Sequence, residues 1–198
     1  LDTLDRRQLL AGYAEVVKYG LIGDRHFFEW LEAHGARVIA GDADARRHVV
    51  VTSCQAKAAV VAADEREAST RALLNFGHTF GHALETETGF GSSLLHGEAV
   101  AIGMVLAFKL SAARGLCPPG DVGRVRRHFD KIGLPTSLRA MALPRWNARR
   151  LVEHMHQDKK VRDGRLAFVL TRGIGSAFVE RGVEAGEVAR LLEGEIAA

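Results

Sequence analysis

Apolar positions recur at helical spacing along most of the chain, and the period changes once, near residue 165. Leu9, Leu10, Tyr13, Val16 and Val17 predict an amphipathic helix over residues 6–20, punctuated by Gly20 and Gly23. Asp24 is placed to cap a second helix that turns Phe27, Phe28 and Leu31 inward, with Gly35 as its stop. A long helix is predicted over residues 44–63, through Val49, Val50, Cys54, Ala58 and Val61, and another over residues 69–88. The loop Gly89-Phe90-Gly91-Ser92-Ser93 leads to His96, and residues 97–113 are mostly small and apolar, the pattern of a buried central helix. Pro118-Pro119-Gly120 breaks the chain before a helix at 121–132, which Gly133-Leu134-Pro135 ends; a further helix is predicted over 147–157. Residues 165–170 and 176–180 are short β-prone runs around Arg172-Gly173-Ile174-Gly175, which read as one β-hairpin, and a helix over 184–196 closes the chain. The expected fold is mainly α with one small hairpin. Without strand–helix alternation or a Gly-rich phosphate fingerprint, a nucleotide-binding doubly wound sheet is not expected within these residues.

The polar positions that break this pattern are more informative than the pattern itself. Within the 69–88 helix, Arg71, Asn75, His78 and His82 fall on one stripe among Leu73, Leu74, Phe76, Phe80, Ala83 and Leu84. Unpaired buried polar groups cost about 1–3 kcal/mol each, so the stripe points to a buried metal or a polar ligand. His96 adds a third imidazole. Neutral imidazoles and a carboxylate are the usual ligands of a catalytic zinc, which keeps a fourth position open. His78 and His96 are candidates, and Glu15, within the apolar stretch Gly12-Tyr13-Ala14-Glu15-Val16-Val17-Lys18-Tyr19-Gly20, is the best available carboxylate. A simple Glu15–Lys18 pair on a half-exposed helix explains the same residue equally well. Lys57 and Arg71, on consecutive helices, suit an acidic substrate, since Arg grips carboxylate or phosphate through two parallel hydrogen bonds. Asp158-Lys159-Lys160 adds a second cationic cluster, although solvated surface charges read the same way.

Composition narrows the field. The chain has 198 residues, 47% hydrophobic and 26% charged, with a net charge of +3, which fits one large or two small domains. The absence of a dense Lys/Arg block argues against nucleic acid, and no uninterrupted run of about 18 apolar residues offers itself to a membrane. Cys54 and Cys117 lack metal or redox spacing and read as reduced thiols of a cytoplasmic protein. The chain starts at Leu1-Asp2-Thr3-Leu4, without Met, cap or tail, which reads as a fragment or an excised domain.

These motifs together resemble a known family. Residues 12–20, the block Lys57…Asp64-Glu65-x-Glu67…Arg71…Leu74-Asn75-Phe76-Gly77-His78-Thr79-Phe80-Gly81-His82-Ala83, the run His96-Gly97-Glu98-Ala99-Val100-Ala101-Ile102-Gly103-Met104, and Asp158-Lys159-Lys160 are similar, in order, to the C-terminal domain of the 3-dehydroquinate synthases. Ser69 and Thr70 depart from the small pair expected before Arg71. The resemblance implies conversion of 3-deoxy-D-arabino-heptulosonate 7-phosphate to 3-dehydroquinate and phosphate, in the shikimate pathway. It implies one helical metal- and substrate-binding domain over residues 1–198, with NAD held by an N-terminal α/β domain that this chain lacks. Carried over by motif, Glu15, His78 and His96 are the zinc ligands, with Co2+ as a substitute metal. His82, Lys18 and Asn75 act in catalysis, Lys57 and Arg71 hold the substrate carboxylate, and Asn75 with Lys159 or Lys160 contacts the phosphate. In that chemistry a secondary alcohol is oxidised by NAD, phosphate is eliminated, the ketone is reduced again, and an intramolecular aldol closes the ring, so NAD is regenerated in each turnover. The expected partner is a small sugar-acid phosphate, the expected full-length enzyme is a homodimer, and the isolated chain is expected to be inactive. Another sugar-phosphate cyclase making an inosose or a valiolone, a metal-dependent polyol dehydrogenase, a purely structural zinc site and a non-catalytic dimerisation module are the alternatives. Lys57 with Arg71 favours the carboxylate-bearing substrate.

Overall fold

The computed structural model describes residues 1–64, 70–141, 146–158 and 165–197, apart from the side chains of residues 158 and 165. Helix α1, Arg6–Gly23, starts at a capping box in which Asp5 accepts the Gln8 backbone N–H at 2.8 Å and Gln8 accepts that of Asp5 at 3.3 Å. It buries Leu10, Tyr13, Ala14, Val17 and Leu21, the face that the apolar spacing predicts. Helix α2, Arg25–Ala40, is capped by Asp24 as expected, but it runs through Gly35 and ends at Gly41, whose φ is +97°. Gly35 is a packing residue: a Cβ there would lie 2.2 Å from the Tyr13 hydroxyl. The close approach of α1, not a helix stop, explains that glycine. Helix α3, Ala43–Ala63, is as long as predicted, yet it buries only Ala45 and Val49 and leaves Val50, Val51, Cys54 and Ala58 exposed.

The largest correction falls on the 69–88 segment. Residues 70–75 form a 3-10 turn, Thr70–Asn75, and a separate helix α4 spans His78–Glu87. Gly77 divides them with φ +81°. The single stripe through Arg71, Asn75, His78 and His82 therefore does not exist: a 3-10 turn repeats every three residues, so Arg71 and Asn75 do not share a face with α4. The cause is helix α5, His96–Ala113. A Cβ on Gly77 would meet the Met104 backbone N at 2.7 Å, and one on Gly103 would sit 2.1 Å from the Gly77 carbonyl oxygen. Only two glycines facing each other allow α4 to start so close to α5.

Helix α5 is the central element. Gly97 to Phe108, Leu110 and Ser111 are all buried, against α1, α4, helix α6 (Pro119–Ile132) and strand β1 (Arg165–Thr171). By length and composition it could cross a membrane, but 78% of it lies inside the molecule, in agreement with its small, apolar sequence. Pro119 stands in the first turn of α6, where its missing N–H has no intrahelical partner to lose. Helix α7, Ala148–Asp158, packs on α4, and β1 pairs antiparallel with β2, Ala177–Glu184, with Leu170 opposite Phe178 and a bulge between Leu166 and Phe168. Ser111 ties the sheet to α5 by accepting the Thr171 N–H at 3.0 Å. Helix α8, Ala185–Ala197, closes the described chain.

Candidate metal centre

Three elements bring side chains to one place. Helix α1 carries Glu15 and Lys18, α4 carries His78, His82 and Glu85, and the first residue of α5 is His96. The approach of α1 to α5 depends on Gly97, since a Cβ there would lie 1.9 Å from the Ala11 carbonyl oxygen. Ala11 is one helical turn before Glu15 and Gly97 adjoins His96, so this glycine sets how near those two side chains come. Arg7 reinforces the crossing. Its guanidinium donates to Glu98 at 2.6 Å twice, to the Ser92 carbonyl at 2.7 Å and to the Ser93 carbonyl at 3.0 Å. Glu98 also accepts the Leu95 N–H at 2.9 Å, which steadies the turn that presents His96.

Glu15 Oε1 lies 3.5 Å from His78 Nε2 and 3.6 Å from His96 Nε2. It is buried and has no hydrogen-bond partner among the described residues. The other oxygen accepts from Lys18 Nζ at 2.5 Å, and Lys18 is itself buried. The two readings of Glu15 fall on different oxygens: one pairs with Lys18 and the other faces the two imidazoles. His78 donates its Nδ1–H to the Phe76 carbonyl at 3.1 Å, so its Nε2 lone pair faces Glu15. His96 directs Nδ1 to Glu85 at 3.1 and 3.2 Å, which leaves its Nε2 facing Glu15 as well. Ligands at tetrahedral angles on an ion with bonds of about 2.0–2.1 Å stand about 3.3–3.4 Å apart, close to what is seen. An orphaned carboxylate oxygen facing two imidazole nitrogens at that spacing fits a divalent cation. His96, whose side chain is 47% exposed, leaves one side of this cluster open.

The electrostatics agree with this arrangement. Burial pushes the Glu15 carboxyl up, but His96, Lys18 and His78 outweigh it and hold the group at about 2. Burial, aided by the Lys18 charge, pushes His78 down to about 4, so it is neutral and able to ligate near neutrality. Pairing with Glu15, and then with Glu85, raises His96 to about 8 against the effect of burial. A cation would take the place of that proton between His96 and Glu15.

His82 is half-buried with its ring 5.4 Å from that of His78 and 6.1 Å from that of His96. Its ligand atoms, with those of Glu85 and His96, form a second group lying within 4.8 Å. Arg71 and Asn75 are half-buried on the 3-10 turn, where the Arg71 N–H donates to Asp64 at 3.0 Å. Lys57 is exposed on α3, which packs against that turn. Lys159 and Lys160 lie outside the described residues. Sequence reasoning missed Glu85 and Arg7. Glu85 stands three positions after His82 and seven after His78, a helical spacing that could have revealed it. Nothing local marks Arg7, because its partners lie more than eighty positions away.

Residues 12–161 match the family model described as 3-dehydroquinate synthase C-terminal. The 3-dehydroquinate synthase of Rhodospirillum rubrum is 60% identical over 198 residues, covering all of this chain and 51% of that protein. That of Nitrobacter winogradskyi is 56% identical over 201 residues, covering all of this chain and 52% of its own length. The chain thus spans about half the length of the curated relatives it matches. Among solved structures, 2-epi-5-epi-valiolone synthase from Streptomyces hygroscopicus subsp. jinggangensis, with NAD+ and Zn2+ bound, superposes with a TM-score of 0.83 at 31% identity over 98% of this chain and 52% of its own. A 2-deoxy-scyllo-inosose synthase with NAD+, Co2+ and carbaglucose-6-phosphate shares the fold at a TM-score of 0.81 and 24% identity, over 98% of this chain and 54% of its own.

Proposed function

This chain belongs to the 3-dehydroquinate synthase C-terminal family, and from that premise we propose that it is the metal- and substrate-binding half of a 3-dehydroquinate synthase. That enzyme converts 3-deoxy-D-arabino-heptulosonate 7-phosphate to 3-dehydroquinate with release of phosphate, in the shikimate pathway. The observation that carries the reading is the orphaned Glu15 oxygen facing His78 and His96, in a chain 60% identical to a protein of that name. Bound by Glu15, His78 and His96, zinc, or cobalt in its place, would supply Lewis-acid polarisation of a substrate oxygen.

The remaining roles belong to this chain's own residues. Lys18 holds the second oxygen of Glu15 and so fixes which oxygen faces the imidazoles. His82 stands beside the cluster, where an imidazole suits the movement of a proton to and from a reacting hydroxyl. Arg71 and Lys57, from elements that touch, hold the substrate carboxylate, and Asn75 with Lys159 or Lys160 holds the phosphate. Gripping both anionic ends keeps successive steps in one geometry. NAD binds outside these 198 residues, on an N-terminal domain, and the full-length enzyme is a cytoplasmic homodimer.

A second reading, another sugar-phosphate cyclase, draws on the likeness to the valiolone synthase at 31% identity. One chimaera separates the two: the first half of the Rhodospirillum rubrum relative joined to this chain, supplied with NAD and zinc. Turnover of the carboxylate-bearing heptulosonate phosphate, and not of sugar phosphates without a carboxylate, is expected. The opposite preference overturns the proposal. The 198-residue chain alone is expected to form no product.

A further inference from the structure

We propose that Glu85 is the positioning residue that makes His96 a metal ligand. This rests on the reading of Glu15, His78 and His96 as a metal site. The two imidazoles are held in different ways. His78 is half-buried and leans on a fixed backbone carbonyl, that of Phe76. His96 is the outermost member of the cluster, and among the described residues no backbone acceptor holds it: its Nδ1 is straddled by both oxygens of Glu85, at 3.1 and 3.2 Å. Glu85 is 9% exposed on the inner face of α4, so the packing of α4 on α5 holds its carboxylate in place.

Three consequences follow for His96. The carboxylate accepts the Nδ1–H, so it selects the tautomer whose Nε2 lone pair is free and aimed at the Glu15 side. It fixes the ring rotation of a half-exposed side chain that would otherwise sample several rotamers. As an anion it also makes the imidazole a better electron donor than a neutral carbonyl would. The chain thus places its charged orienting group on the exposed ligand, the one with the most freedom to lose.

The test is zinc affinity, read by competition with a chromophoric chelator, for the wild type, Glu85→Gln, His96→Ala and the double variant. Glu85→Gln keeps the shape of the side chain and an acceptor oxygen but removes the charge. It is expected to weaken zinc binding about 10–100-fold, with the metal-free protein still folded by circular dichroism. In the His96→Ala background the same substitution is expected to change nothing further, because its effect passes through that ring. An equal loss in both backgrounds, or no loss where His96 is intact, overturns the proposal. If Glu85 were itself a ligand, of an ion on the His82 side, zinc binding would survive Glu15→Gln, and that result also overturns it. A wild-type protein that takes up no zinc defeats the underlying metal reading as well, and this failure shows before any variant is made.

Discussion

Adding one methyl group at Gly97 should separate the two halves of the proposed metal centre. The Cβ of Gly97→Ala would lie 1.9 Å from the Ala11 carbonyl oxygen, and 2.4 Å from its carbonyl carbon. These are backbone atoms of α1, which cannot rotate out of the way. Ordinary contact begins near 3.4 Å, so the helices must part by about 1.5 Å at this point. If that displacement reaches the next turn, the 3.6 Å between Glu15 and His96 becomes about 5 Å. An ion with bonds of about 2.1 Å spans at most about 4.2 Å between two ligands, so one ligand is lost. Overpacking costs about 1–3 kcal/mol, against a gain of about 1 kcal/mol from the better helix propensity of alanine. The variant should be destabilised, and its zinc affinity should fall by more than the 10–100-fold that an outer partner commands. Gly12→Ala is the control: it lies on the same helix with no atom of the described residues within 4 Å of its Cβ, so it should gain stability and keep zinc. Urea unfolding and chelator competition on both variants measure these effects. A Gly97→Ala protein with a raised melting temperature and unchanged zinc affinity would refute the claim that this contact sets the site.

Glu15→Gln should abolish zinc binding and also leave Lys18 buried without its anion, at a cost of about 3 kcal/mol in chemical denaturation. The double variant with Lys18→Met should recover most of that stability but no zinc; recovery of zinc would show that Glu15 is not a ligand. His128, 4% exposed beside the Tyr13 hydroxyl, is pushed down to about 4 by burial. It stays neutral in the folded protein where the unfolded chain takes a proton, so its contribution is complete above about pH 6.5 and drains away as pH falls towards 4, on the order of 3 kcal/mol in all. His128→Gln should flatten the wild-type loss of stability between pH 7 and 4.5, and parallel slopes would contradict the burial argument. Arg7→Ala releases the Ser92 and Ser93 carbonyls and one face of Glu98, so hydrogen exchange should quicken at the start of α5 and zinc should bind more weakly. Exchange unchanged at residues 95–98 would mean that Glu98 holds the turn alone.

The elements and the polar residues were readable from the sequence for different reasons, and so were the errors. The small, apolar residues 97–113 permit only a buried helix, and α5 is one. The four-residue spacing of His78 and His82 survives on α4. Glu15 stood out because a carboxylate on an apolar face needs a partner, and it faces three. The misreadings at Gly35 and Gly77 share one origin. Gly35 reads locally as a helix stop, and the apolar spacing runs a helix straight through Gly77. What each responds to is a backbone or side chain from a distant element, Tyr13 in one case and α5 in the other. The same holds for Arg7, whose role depends on a loop that folding brings to it. On α3 the apolar spacing marks a face but not what lies against it, and Val50, Val51 and Ala58 stand exposed.

Helix α5 behaves as a jig with two stops. One stop is Gly97, where α1 rests, and the other is Gly103, where the entry to α4 rests. They are six residues apart, about 9 Å along a rigid rod. The parts carrying Glu15 and His78 are therefore each referenced to the same rod and not to each other. Tolerance at the centre depends on two bare backbones, so drift in the many apolar side chains around it need not change the spacing of the three proposed donors. Re-engineering the pocket for a cation of different radius would accordingly begin at the stops, with the three donors left as they are.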